Sequence, residues 1–247
     1  MSAPLVLLHG LSDSGDCWPG VVAHVHDRRV LTPTALGHGG RPLPDVFAVS
    51  ALGADVVATL RADPGTERVV VVGHSMGGLV AQEVALTAPE LVAAVVLVDP
   101  AWTAGDVPPP WLADAVAARD TPVEELVAQS RRDDPTWPED ERAPWAAARA
   151  GLHPRLAAVP HRWAERDWPA AVGEITASGI PVTLVTGDPD RTIVGPPLVA
   201  RALAAVTDAG PDAARLTVVN LPGTGHSVHR DARPAFLRTL DTVLTTT

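Results

Sequence analysis

The sequence is poor in positive charge and contains no lysine at all. Its 19 basic residues are all arginines, and 29 acidic residues bring the formal net charge to −10. Such a chain has no surplus of cations with which to neutralise a run of phosphates, so nucleic acid is excluded as an expected partner. The same charge disfavours binding to an anionic membrane surface.

Cysteine and long apolar runs are scarce as well. Cys17 is the only cysteine, which excludes an intrachain disulfide and gives no sign of an oxidising compartment. The longest apolar run, residues 92–98, is too short to cross a bilayer, and the first residues lack the basic region of a signal peptide. We therefore expect a soluble cytoplasmic protein.

Motifs for cofactors and metals are missing too. The sequence contains neither a G-x-G-x-x-G segment nor a Walker-type loop, so no nucleotide cofactor is expected. The pair His24 and His26 is too small a signal for a metal site and fits a solvated turn before the second strand. We expect no cofactor and no metal, and the sequence leaves the oligomeric state open.

Short apolar runs alternate with helical patterns along the chain, which favours parallel strands joined by crossover helices. We expect an α/β fold with a mainly parallel sheet of about six strands and flanking helices. The predicted strands are residues 5–8, 29–32, 69–72, 94–98, 182–186 and 216–220.

The segment Gly73-His74-Ser75-Met76-Gly77-Gly78 directly follows four consecutive valines. Apolar residues then recur at helical spacing as far as Pro89. A G-x-S-x-G segment between a strand and a helix predicts a nucleophile elbow, a strained turn that exposes a serine hydroxyl. The alternative is a glycine-rich turn with an idle serine, which the complete strand–turn–helix context disfavours.

A serine nucleophile needs a base, and an acid that orients the base. His226 follows the strand at 216–220 through a flexible loop and is the expected base, with His229 as the alternative. Asp190, beyond the strand at 182–186, is our choice for the acid. Asp188 is the close alternative. Asp99 is a third candidate, although its position before Pro100 favours a turn role.

An oxyanion formed during acyl transfer needs two backbone N–H groups directed at the developing charge. Met76, directly after the serine, supplies the first. We assign the second to Leu11, in the loop after the first strand.

The stretch between Asp99 and Gly173 has no strand-like run but holds six of the seven tryptophans. We expect residues 101–173 to form a helical cap on a core made of residues 1–100 and 174–247. Above the carboxyl ends of the strands, such a cap would lie where ligands bind in open α/β sheets. Two or three tryptophans should face the substrate cavity, with Trp102, Trp137 and Trp163 as candidates. The alternative for any single tryptophan is simple packing.

The chain resembles the α/β-hydrolase superfamily, in the group with a serine nucleophile and a cap. The resemblance rests on the elbow and on four further segments, Leu8-His9-Gly10, Leu36-Gly37-His38-Gly39, Gly187-Asp188-Pro189-Asp190 and Gly225-His226-Ser227-Val228-His229. The order Ser, Asp, His along the chain is the order of that family. His9 and His38, within these segments, are further candidates for the substrate pocket.

The resemblance implies a hydrolase that cleaves a carboxylic ester or related acyl compound through an acyl-enzyme on Ser75. Its expected partner is a small-molecule acyl substrate with an apolar part. Relatives with an aspartate nucleophile, such as haloalkane dehalogenases and epoxide hydrolases, are disfavoured by the serine. The same triad also serves thioesterases, lactonases, C–C bond hydrolases and acyltransferases, and a non-hydrolytic cyclase or binding protein is the remaining alternative.

Overall fold

The computed structural model describes residues 2–64 and 68–247. A parallel sheet of six strands forms its centre, in the spatial order β2-β1-β4-β5-β7-β8, and β3 pairs with β6 in a second, two-stranded sheet. The strands in chain order are β1 (Leu5–Leu8), β2 (Val30–Leu31), β3 (Phe47–Ala48), β4 (Val69–His74), β5 (Val92–Val98), β6 (His161–Arg162), β7 (Val182–Thr186) and β8 (Leu216–Asn220).

Helices connect the strands and cover both faces of the main sheet. They are α1 (Pro19–His24), α2 (Val49–Ala62), α3 (Met76–Thr87), α4 (Trp111–Ala117), α5 (Val123–Asp133), α6 (Glu139–Ala150), α7 (Trp168–Ala177), α8 (Pro196–Asp208), α9 (Val228–Asp231) and α10 (Arg233–Leu244). None of these helices combines the length and the apolar character that crossing a bilayer requires.

The sheet divides the apolar residues into two cores. Because side chains alternate along a strand, Val69 and Val71 of β4 pack with α2 and α3, while Val70 and Val72 pack with α1 and α10 on the other face. All four valines are fully buried. Burial on both faces explains why β4 is a continuous apolar run in the sequence.

The predicted α/β architecture with a six-stranded parallel sheet is confirmed. Strand β2 is shorter than expected, and the pair β3 and β6 was not predicted. Each strand of that pair has two residues and joins segments more than 100 residues apart, so neither forms an apolar run that a sequence pattern could reveal.

The segment between β5 and β7 contains α4 to α7 and the short strand β6. Helices α5 and α6 pack against each other, whereas α7 packs against α3 and α8, beside the main sheet. The cap boundary expected at residue 173 therefore falls inside α7. We call residues 101–167 the helical insertion below.

Candidate active site

Ser75 lies between the end of β4 and the start of α3 in a backbone conformation that L-residues rarely adopt. Its φ is 54° and its ψ is −116°. A side chain on Gly77 would overlap the carbonyl of Leu8 in the neighbouring strand, and one on Gly73 would overlap the carbonyl of Gly77. The glycines thus allow the sharp turn, and the turn places Ser75 above the sheet edge.

Backbone strain is concentrated around this turn. In the described ranges, the non-glycine residues with positive φ are Ser12, Ser75 and Asp99. They follow β1, β4 and β5, three neighbouring strands of the sheet. Positive φ costs about 1–3 kcal/mol at a non-glycine residue and persists where the surrounding structure imposes it, typically at functional sites.

The structure pairs His226 with Asp99. The Nδ1–H of His226 donates to Oδ2 of Asp99 at 2.5 Å. The Asp99 carboxylate is fully buried and also accepts the backbone N–H groups of Ile193 at 3.0 Å and Val194 at 2.8 Å. Three N–H donors thus satisfy the buried carboxylate. Because Nδ1 of the imidazole is held by Asp99, Nε2 is the ring nitrogen left for proton transfer.

The structure thus brings His226 to Asp99, the third of our candidate acids, and not to Asp190, our first choice. Asp190 is exposed and lies in the loop after β7, away from the hydrogen bonds that hold His226. Asp188 accepts the backbone N–H of Gly223 at 3.0 Å and lies 3.9 Å from Arg191, so it supports the loop that leads to His226. Asp99 follows β5, which lies directly beside the Ser75 strand β4, whereas Asp188 and Asp190 follow β7, one strand further from β4.

His74 holds the main chain of His226. Its Nε2–H donates to the His226 carbonyl at 3.0 Å, and the two rings lie 4.8 Å apart. Burial, together with the nearby His226, lowers the pKa of His74 to about 3. His74 is therefore neutral near pH 7 and acts as a hydrogen-bond donor without adding a charge next to the candidate base.

Two buried histidines shape the loop after β1. His9 accepts the N–H of Ala35 at 2.9 Å and donates to the Gly10 carbonyl at 2.8 Å. His38 accepts the N–H of Ser12 at 3.3 Å and donates to the Leu36 carbonyl. Burial lowers the pKa of both, that of His38 to about 3. Neither lines the cavity at Ser75, where we expected both.

The N–H groups that we assign to the oxyanion belong to Met76, directly after Ser75, and to Leu11 in the loop after β1. Met76 is the first residue of α3, so its N–H has no partner within the helix and belongs to the positive end of the helix dipole. Leu11 lines the same cavity as Ser75. The loop carrying Leu11 is fixed by the His38 contact to Ser12 and by a hydrogen bond from the Asp13 N–H to the Gly10 carbonyl at 3.1 Å.

A cavity of about 640 Å³ opens at Ser75 and His226. Its wall comes mainly from the first part of the helical insertion. Among the described residues that line it, His226 is the only one with an ionisable side chain. The other lining residues are Leu11, Ala101, Thr103, Ala104, Gly105, Val107, Pro108, Pro109, Pro110, Trp111, Trp163 and Ile193.

Two of the six tryptophans in the expected cap, Trp111 and Trp163, line this cavity. Trp102 and Trp137, our other candidates, lie elsewhere. The indole N–H of Trp102 donates to Gln82 in α3, and that of Trp137 donates to Asp231 after the candidate base. Asp106 connects two segments that line the cavity. Its neighbours Gly105 and Val107 belong to one, and its carboxylate accepts the backbone N–H of Trp163 in the other at 2.8 Å.

Sequence reasoning missed Trp111, Thr103 and Ile193 as cavity residues. Ile193 carries no chemical signal, since its role depends on where the loop after β7 folds. Trp111 is one of six tryptophans in this segment, and nothing in the sequence indicates which of the six face the cavity. Within residues 2–64 and 68–247, no group of three or more His, Cys, Asp or Glu side chains is arranged to hold a metal ion.

Comparison with known proteins places this geometry in a family. Residues 5–239 match the Alpha/beta hydrolase family. The chain belongs to this family. Over 99 residues it is 37% identical to lipase LipV of Mycobacterium tuberculosis, a stretch that covers 40% of this chain and 38% of LipV.

Another relative is the sn-1-specific diacylglycerol lipase ABHD11 of Xenopus laevis, 40% identical over 102 residues, or 40% of this chain and 32% of that lipase. The matches thus span well under half the length of either relative. The solved structure of the M. tuberculosis esterase Rv0045c superposes with a TM-score of 0.67 and 22% identity, covering 99% of this chain and 86% of the esterase. That likeness concerns the α/β-hydrolase fold.

Proposed function

We propose that this α/β-hydrolase cleaves carboxylic esters of uncharged, apolar acyl groups through an acyl-enzyme on Ser75. The observation that carries the proposal is the hydrogen bond from His226 to the buried Asp99 beside the strained Ser75 turn. Membership of the family and the lipase names of two relatives support hydrolysis as the reaction class.

In the first half of the reaction, the Ser75 hydroxyl attacks the ester carbonyl while Nε2 of His226 takes its proton. Asp99 stabilises the resulting imidazolium. The negative charge that forms on the carbonyl oxygen is stabilised by the N–H groups of Leu11 and Met76. When the tetrahedral intermediate collapses, the alcohol leaves with the proton from His226, and the acyl group remains on Ser75.

In the second half, water attacks the acyl-enzyme and gives its proton to His226. The acid is released and Ser75 recovers its proton. We propose that the helical insertion, residues 101–167, acts as the cap for both steps, because its first part forms most of the cavity wall beside Ser75. A closed apolar wall would strengthen the electrostatic interactions at the oxyanion and bind the acyl group.

The acyl group is proposed to be uncharged because the part of the cavity lining that the structure describes holds no arginine that could pair with an anion. Burying an unpaired carboxylate in such a cavity would cost several kcal/mol. The acidic net charge of −10 adds no compensating attraction for an anionic substrate.

The test combines labelling and turnover. A fluorophosphonate should attach to Ser75, located by peptide mass spectrometry, and p-nitrophenyl butyrate should be hydrolysed. Ser75→Ala should lose the label and roughly 10³-fold or more in kcat. Ser178→Ala, an exposed serine at the end of α7, is the control and should keep both. Full turnover by Ser75→Ala would overturn the proposal.

A further inference from the structure

The loop that carries His226 is attached to the helical insertion through Asp231. One carboxylate oxygen of Asp231, Oδ2, accepts the backbone N–H of Gly225 at 2.8 Å. Gly225 is the residue directly before His226. The contact therefore acts on the main chain at the candidate base itself.

The other oxygen of Asp231 binds the insertion. Oδ1 accepts the indole N–H of Trp137 at 3.1 Å and the hydroxyl of Thr136 at 2.9 Å. Both donors lie between α5 and α6. A single carboxylate thus joins the two segments, and hydrogen bonds to a charged acceptor are among the stronger ones in proteins.

The preceding residue, Arg230, makes a parallel connection. Its Nη2 donates to Asp13 at 3.0 Å, two residues beyond Leu11, and its guanidinium lies 4.6 Å above the ring of Trp137. Its Nε lies 3.5 Å from Glu141 in α6. Burial alone would lower the pKa of Arg230, but Asp13 and its other acidic neighbours together outweigh burial, and the pKa is raised. The short helix α9 therefore contacts the insertion, the oxyanion loop and the His226 loop.

We propose that Asp231 is a positioning residue, which sets the place of the His226 imidazole by tying its loop to Trp137 and Thr136 of the helical insertion. The position of the imidazole is fixed at three points: its ring by Asp99, its carbonyl by His74 and the preceding N–H by Asp231. The His74 contact comes from β4 and the Asp99 contact from the residue after β5. The third contact comes from Asp231 in α9, which in turn binds Trp137 and Thr136 of the insertion. The inference rests on the proposed function of Ser75 and His226.

The role of Asp231 predicts a loss in the chemical step rather than in substrate binding. Trp137→Phe keeps a ring beneath Arg230 but removes the indole N–H. Asp231→Asn leaves a single side-chain oxygen, which cannot accept from both Gly225 and the insertion. Each should lower kcat for p-nitrophenyl butyrate by about 10-fold, since small displacements of a reacting group cost rate, with KM changed less than threefold. Trp145→Phe is the matched control. The Trp145 ring packs edge-on against that of Trp137, with the ring centres 5.7 Å apart, and phenylalanine keeps a ring there while the hydrogen bond from Trp137 to Asp231 stays in place.

A double-mutant cycle tests whether both residues act through one contact. The double variant Trp137→Phe/Asp231→Asn should lose little more kcat than either single variant, because the second change removes a contact already broken. If the loss of kcat in the double variant equals the product of the two single losses, the two residues act separately and the proposal is overturned.

A second readout does not depend on turnover. The low-field proton NMR resonance of the His226 Nδ1–H should shift or broaden in Asp231→Asn and in Trp137→Phe, and stay in place in Trp145→Phe. If the variants lower only the melting temperature and leave this resonance and kcat unchanged, Asp231 has a purely structural role. If the wild-type protein neither hydrolyses esters nor labels at Ser75, the proposed function fails instead.

Discussion

The Nδ1 of His226 lies 2.5 Å from a carboxylate oxygen of Asp99, although 127 positions separate the two residues in the chain. Asp99 directly follows β5, the strand beside β4, and His226 reaches it from the loop after β8. The carboxylate is also held by two backbone N–H groups from the loop after β7. Three strand ends thus converge on one acid next to Ser75.

The apolar lining of the cavity predicts that the enzyme prefers a neutral ester to an anionic one. p-Nitrophenyl butyrate should be hydrolysed with a kcat/KM about 10²-fold above that of p-nitrophenyl hemisuccinate, since the terminal carboxylate of the latter would be buried without a partner. Initial rates with both esters measure the ratio. Ala104→Arg, within the lining, should lower the ratio of the two kcat/KM values because the new guanidinium can pair with the carboxylate. Ala113→Arg, on the exposed side of α4, is the control and should leave the ratio unchanged. Equal rates in the wild type would contradict an apolar acyl site.

Trp163 predicts a limit on acyl length. Trp163→Leu should shift the preference towards longer p-nitrophenyl esters by about 10-fold or more, the usual effect of one methylene in an apolar pocket. Labelling of Ser75 by a small fluorophosphonate should change little, because the probe does not fill the cavity. Trp145→Leu, outside the lining, is the control. A changed melting temperature with an unchanged chain-length profile would make Trp163 a packing residue only.

Buried neutral histidines predict a pH dependence of stability. Burial lowers the pKa of His38 to about 3, against about 6.5 in an unfolded chain. Between these values only the unfolded state binds the proton, so the free energy of unfolding should fall by about 1.4 kcal/mol for each pH unit below 6.5. His74 should add a similar slope.

Urea unfolding between pH 7 and pH 5 measures this slope in a range where most carboxylates stay ionised. His38→Gln preserves an acceptor for Ser12 and cannot be protonated. We expect the slope of the variant to be smaller by about 1.4 kcal/mol per pH unit. An identical slope in the two proteins would show that His38 is accessible to protons in the folded state.

The sequence predicted the parts of the fold that are coded locally. Four valines in a row predict a strand buried on both faces, and the glycines around Ser75 predict a sharp turn because only they allow such close backbone approach. The neighbouring strands β3 and β6 carry no local pattern. They pair only because the insertion brings His161 beside Phe47.

The carboxylate that pairs with His226 could not be identified from the sequence. Asp99, Asp188 and Asp190 all follow strand ends, and the sequence does not reveal which one the His226 loop approaches. That depends on sheet order, which places β5 next to β4. The positive φ of Asp99 is likewise invisible in the sequence, where a residue before Pro100 fits an ordinary turn. The sequence predicted which segment would cover the cavity, but the individual lining residues depend on how the loops fold.

We propose that Asp99 orients His226 for proton transfer with Ser75, and a comparison of two substitutions tests this role. Steady-state hydrolysis of p-nitrophenyl butyrate would be measured for Asp99→Asn and for Asp190→Asn. The amide in Asp99→Asn keeps the shape of the side chain but stabilises the wrong tautomer of the imidazole, so kcat should fall by roughly 10⁴-fold. Asp190→Asn, at an exposed position, should stay within about twofold of the wild type. The reverse result, an inactive Asp190→Asn and an active Asp99→Asn, would assign the orienting acid to Asp190 and not to Asp99.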